Sequence, residues 1–199
     1  MNTTQVKELL LQSLEHERGG VLVYRTALEC VRDERLAQEW THYLEQTLNH
    51  DSVLTEACAS LGLDPLERTP GCEIVRQTGT ALVVAMKTAK AAGDPAAAEL
   101  VACDCVVLAE TKDHANWGLI GECAKAADGD AARVLRDAYG RVEDEEDEHL
   151  YHSKGWCREL WLQALGLEAV LPPPEETEDA KTAVEAARAK EKAHGASSG

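Results

Sequence analysis

No stretch of about 18 apolar residues occurs in this chain, so it has no candidate membrane-spanning helix. The opening residues, Met1-Asn-Thr-Thr-Gln-Val-Lys7, lack the basic-then-apolar order of a secretory leader. A cytoplasmic chain is the expectation. Strand signals are nearly missing too: alternation is never sustained, and no Asn-Gly or Asp-Gly pair sits between alternating residues. Positive charge is short, with 20 Lys and Arg against 36 Asp and Glu and a formal net charge of -16. Such a field repels nucleic-acid backbones and anionic membranes, which argues against both as partners and favours cations. Triad motifs, glycine-rich phosphate loops, flavin fingerprints and Cys-x-x-Cys pairs are also missing.

The seven cysteines are odd in number and fall mostly at helical core spacing, so they read as reduced, small core residues. Cys103 and Cys105 are two residues apart and point to different sides of a helix, which disfavours a thiolate metal site.

What is present is helical periodicity throughout, and the chain reads as all-α. Its 199 residues, 44% of them hydrophobic, suffice for one well-buried domain over residues 1–170. Pro172-Pro-Pro174 then opens a tail, 171–199, rich in Ala, Glu and Lys and expected to be loosely helical or disordered. The first helix is expected over about 3–32, with Thr3 or Thr4 as N-cap, and the second over about 33–61. After a turn-rich loop, residues 72–92 form a crossover helix of bundle length. It allows the third main helix, about 94–127, to run parallel to the second. A fourth, amphipathic pattern extends from Asp130 to Leu165.

Each main helix carries polar groups on its inward stripe at mid-height. Helix one places Glu17 in a seam with Leu10, Leu14, Val21 and Tyr24, beside Gly19-Gly20, whose low helix propensity suggests a close neighbour. Helix two turns Thr47 and His50 inward, and helix three turns Glu110 and His114 inward with Asp113 alongside. On the last pattern Glu145, His149, His152 and Trp156 share a stripe with Glu146 beside it, while Asp144, Asp147 and Glu148 read as solvated. A buried, unpaired carboxylate costs several kcal/mol or takes up a proton, so four helices offering acids and imidazoles at one level need a shared cation. Mixed carboxylate and imidazole donors suit iron(II), manganese or zinc, and bridging carboxylates would admit two ions.

At these residues the chain resembles the ferritin-like superfamily of di-iron carboxylate four-helix bundles, above all its small bacterial YciF-like and bacterioferritin-like members. Leu14-Glu-His-Glu17 with Tyr24 seven residues on is similar to the pattern of a ligand Glu followed by an inward Tyr. Glu110-Thr-Lys-Asp113 with Trp117-Gly118, and Glu146-Asp-Glu-His149 33 residues after Asp113, are similar to the motifs of the third and fourth helices. Thr47-Leu-Asn-His50 departs from the pattern, with Thr where the family has a bridging carboxylate. The resemblance covers residues 5–165 and implies a ferritin-like bundle binding one or two Fe ions. The metal residues would come from Glu17, His50, Glu110, Asp113, His114, Glu145, Glu146 and His149. It also implies ferrous oxidation or oxygen and peroxide chemistry, with Tyr24 supplying an electron or a hydrogen bond. The alternative is a scaffold or stress-related helical protein that keeps the fold without metal chemistry. The apolar strip over residues 156–162 suggests a homodimer.

Overall fold

A computed structural model describes residues 1–196, so the end of the expected tail, 197–199, lies outside the described residues. Among the described residues regular structure is helical throughout, with no strand. Helix α1 (Thr3–Ala27) starts at Asn2, whose side chain accepts a hydrogen bond from the Gln5 amide. Asp33 caps α2 (Glu34–Ser60). Thr69 caps α3 (Pro70–Ala91). Asp94, with Pro95 in the first turn, starts α4 (Pro95–Ala126). Then come α5 (Gly129–Gly140), α6 (Glu143–Ala164), α7 (Pro174–Thr177) and α8 (Ala183–Ala196).

Two of these boundaries correct the sequence reading. Helix α1 stops at Ala27, several residues before the expected end near 32. The buried Glu99 carboxylate on α4 accepts from the backbone amides of Arg32 (2.6 Å) and Asp33 (2.9 Å), which fixes this turn by a tertiary contact. The pattern expected as one helix from Asp130 to Leu165 is two, broken at Arg141 and Val142, where Val142 has φ -128° and ψ -30°. Glu143, Asp144, Glu145 and Glu146 all fall in the first turn of α6, where the positive end of the helix dipole favours them. The acidic run marks a helix start.

The core forms two apolar clusters with a polar layer between. One holds Leu10, Leu14, Leu54, Cys58, Trp117, Ile120 and Val142. The other holds Tyr24, Ala27, Leu36, Trp40, Val106, Trp156 and Leu160. Passing between the clusters gives each helix its direction: α1, α3 and α6 run one way, α2 and α4 the other. Helix α3, with Cys72 in one cluster and Met86 in the other, is therefore the crossover that leaves α2 and α4 parallel. Helix α1 packs on α2 and α4, and α6 packs on α4 and faces α2, which closes a four-helix ring. Helix α3 lies outside it against α1 and α4.

Part of the expected tail folds onto this ring. Pro174 and Glu175 are buried, and the Arg158 guanidinium on α6 donates to both oxygens of Glu175, one contact at 2.8 Å. A Cβ at Gly155 would lie 2.8 Å from the Glu175 carboxylate, so only glycine lets α7 sit this close. Helix α7 and α6 together leave Trp156 fully buried within the chain, with Trp161 the exposed member of the 156–162 strip.

Candidate metal centre

The polar layer draws one or two side chains from each helix of the ring. Glu17 comes from α1, His50 from α2, Glu110 and Asp113 from α4, and Glu146 and His149 from α6; all six are buried. Their donor atoms form two triads, His50 with Glu146 and His149, and Glu17 with Asp113 and Glu146. Within each triad the ligand atoms lie within 4.8 Å of one another, and Glu146 belongs to both. The His50 Nδ1 is 3.0 Å from Glu146 Oε1 and 3.8 Å from Glu17 Oε2. The His149 Nδ1 is 3.4 Å from Glu110 Oε2 and 3.7 Å from Glu146 Oε1. The two rings stack with centroids 5.6 Å apart.

Both imidazoles are anchored from outside the layer. His50 Nε2 donates to Glu145 Oε2 at 2.7 Å, and His149 Nε2 donates to Gln46 Oε1 at 2.9 Å. An outer acceptor on Nε2 places the proton there and leaves Nδ1 of the neutral ring as a lone pair aimed at the carboxylates, the usual arrangement behind a metal-bound histidine. Trp117 likewise donates its indole N–H to Glu17 Oε1 at 2.7 Å and turns the other carboxylate oxygen inward.

Seven inward atoms of the layer are among the buried side-chain atoms left without hydrogen-bond partners: Glu17 Oε2, His50 Nδ1, Glu110 Oε2, Asp113 Oδ1, both oxygens of Glu146 and His149 Nδ1; the others, among them Tyr24 Oη, Trp40 Nε1 and Ser153 Oγ, belong to none of the six side chains of the layer. Buried polar atoms are rarely orphaned, and here seven orphans converge. Proton affinities show the same frustration. Burial first, then repulsion among the acids, hold the Glu17 and Glu146 carboxyls well above the usual carboxylate range. Burial likewise raises Asp113. Burial also pushes on Glu110, yet its contacts with His149 and Tyr24 outweigh it and hold that carboxyl low. Burial lowers the His50 imidazole, but the Glu145 hydrogen bond and the Glu17 and Asp113 charges outweigh it. A divalent cation would replace these protons and satisfy the orphans together, so the donor set fits a metal ion.

Of the residues expected at the site, the structure brings Glu17, His50, Glu110, Asp113, Glu146 and His149 together. Glu145 sits behind His50, with its side chain about one-third exposed. His114 points elsewhere, paired with Asp147 at 2.7 Å. Thr47 is buried, but its hydroxyl donates to the Tyr43 carbonyl. Glu146, not an α2 carboxylate, is shared by the two triads. Tyr24 is fully buried, its hydroxyl against Glu110 and its ring 6.2 Å from His149. Sequence reasoning did not find Gln46, Trp117 as a carboxylate anchor, or Tyr43, whose ring lies 4.2 Å from His149 and whose hydroxyl meets His152 Nδ1 at 2.9 Å. Tyr43 and Trp117 stood on apolar stripes, where their polar tips gave no separate signal. No protein-family model, curated protein or solved structure matches this chain.

Proposed function

We propose that the buried layer is a two-ion carboxylate–histidine centre of ferritin-like type, taking iron(II) by preference with manganese or zinc as alternatives. The observation that supports it most directly is the pair of anchored imidazoles, whose Nδ1 atoms face carboxylate oxygens across 3.0 to 3.7 Å with no aligned hydrogen bond between them. Without a cation these contacts are relieved only by protons, held on Glu17 and Glu146 or on His50, and a shared cation would take the place of those protons. Charge supports two ions: Glu17, Glu110, Asp113 and Glu146 offer four negative charges when ionised, which two divalent ions balance.

His50 and His149 would hold one ion and Glu17 and Asp113 the other, with Glu146 available to both and Glu110 beside His149. Iron(II) held there would supply the electrons for the reduction of oxygen or peroxide and itself become iron(III). The carboxylates gather the negative charge that favours the more oxidised ion, and the imidazoles fix position through Gln46 and Glu145. Trp40, Trp117, Trp156 and the leucines around them keep bulk water from the layer. Tyr24 stands close enough to Glu110 to hold a proton beside it or to lend an electron.

An oxygen electrode tests the reaction. Protein loaded anaerobically with Fe(II) and then mixed with aerated buffer should take up oxygen faster than iron alone, and Glu146→Ala should lose the excess. Uptake equal to that of free iron in the parent chain removes the oxidation. A metal-free scaffold is the competing reading, and Thr47 favours it by withholding an α2 carboxylate from the layer. A melting temperature indifferent to Fe(II), Mn(II) and Zn(II) would select that reading.

A further inference from the structure

We propose that α7 is a proton-operated latch: its Glu176 carboxyl docks against Glu39 of α2 by sharing one proton taken from solvent, so the segment closes in acid and loosens in alkali.

The geometry calls for that proton. Two carboxyl groups meet at one indole, since Trp156 Nε1 on α6 donates to Glu39 Oε2 at 2.7 Å and is also in contact with Glu176 Oε1. A neutral indole has a single N–H and no charge, so it cannot offset two carboxylates in a half-buried site. The two carboxyl groups also lie within hydrogen-bonding reach of each other. Such a contact is attractive only when one of the pair is protonated, because an ionised carboxylate can only accept.

The neighbours decide which acid holds the proton. Burial works against the charge of Glu39, yet contacts with His152, Glu176 and Tyr43 outweigh it and hold this carboxyl low. The His152 Nδ1 is 3.6 Å from Glu39 Oε1 and 2.9 Å from the Tyr43 hydroxyl. On Glu176, burial and then Glu39 prevail over Trp156 and the Arg35 guanidinium and push the carboxyl up to about 9. The other charged groups packed about α7 are ion-paired: Arg158 with Glu175 and Glu159, Lys192 with Glu178, and Lys181 with Glu148. A carboxyl raised in the docked state favours docking at low pH. Docking therefore strengthens by up to about tenfold for each unit that pH falls from 9 towards the ordinary 4.5 of a free glutamate.

The latch lies over the outer end of a polar seam between α2 and α6. That seam runs from Glu39 through His152 and Tyr43 to His149, whose ring is 4.2 Å from that of Tyr43. Opening uncovers Trp156 and the Glu39 end of the seam, so pH sets their access to solvent. The inference rests on α7 and its seat and does not depend on metal in the layer.

The test is hydrogen exchange of the full chain between pH 6 and pH 8, read by mass spectrometry and corrected for the intrinsic rate at each pH. The amides of Glu178 and Ala180, which donate to the Pro174 and Glu175 carbonyls, report on α7. Their protection in the parent should fall by about tenfold per pH unit. In Glu176→Gln the side-chain amide donates to Glu39 without a titrating proton. Protection there should stay level within about threefold across the range and exceed the parent's at pH 8 by about tenfold or more. Glu176→Ala, which removes the shared proton and the like charge together, should also be level and carries the test if the glutamine packs poorly. Parent protection that is indifferent to pH overturns the latch. A fall that persists in both variants places the proton elsewhere, on His152 or in the buried layer, and overturns it equally.

Discussion

At the scale of single residues, the centre depends on side chains that touch no metal donor position themselves. Gln46 is the clearest case: its carbonyl oxygen is the partner of His149 Nε2, and without it the ring is free to turn or to shift its proton to Nδ1. Gln46→Leu should fold normally and weaken Fe(II) or Zn(II) affinity by about 10- to 100-fold, measured by competition with a coloured chelator. An unchanged affinity would show that the anchoring plays no part in binding. The cysteines give an independent residue-scale check. Burial pushes the thiols of Cys58 and Cys105 up to about 11, and burial with the Asp104 carboxylate pushes Cys157 up to about 12. Thiolate is the reactive form, so these three should resist a disulfide reagent at pH 8 in the native chain and react once urea unfolds it, as peptide mass spectrometry would record. Glu17, His50, Glu110 and His149 were legible from the 3.6-residue period alone, because each occupies a stripe whose other members are apolar. Gln46 was not, since a glutamine beside a stripe looks like any solvated side chain until its partner on α6 is known.

At the scale of elements, the first turn of α6 carries both carboxylates the sequence offered beside His149: Glu146 is buried in the layer, and Glu145 lies behind His50. The break before α6 was signalled by four acids in a first turn, but an uninterrupted apolar period concealed it. The end of α1 was not legible, because Glu99 imposes it from a helix almost 70 positions later. Helix α7 is a similar case. Proline and acidic residues suggested a loose tail, whereas Arg158 holds Glu175 in a buried ion pair and Gly155 provides the room. Arg158→Ala leaves Glu175 and Glu159 buried without their partner, and should cost about 3 kcal/mol in urea unfolding. A loss under about 1 kcal/mol would show that α7 detaches at little cost.

At the scale of the whole molecule, the bundle divides labour between its ends and its middle. Two apolar clusters supply the stability, and the layer between them concentrates six ionisable side chains from four helices, an arrangement that opposes folding unless a counter-charge enters. The crossover was legible from the length of its helix and its flanking Gly and Pro residues, and it is what leaves α4, with Glu110 and Asp113, parallel to α2, with His50. A ring of α1, α2, α4 and α6 around such a layer is the observation on which the ferritin-like proposal stands. Cation binding should then stabilise the whole fold. With Fe(II) under anaerobic conditions at 100 times its dissociation constant, the gain is about 2.7 kcal/mol, readable as a rise in melting temperature that His149→Ala abolishes. The most direct test counts the ions: plasma mass spectrometry of the full chain after anaerobic Fe(II) loading and removal of free metal. The account predicts about two ions per chain in the parent, as the four-carboxylate layer requires, and close to none in Glu146→Ala, which removes the carboxylate common to both triads. A folded parent chain that emerges without metal would contradict it.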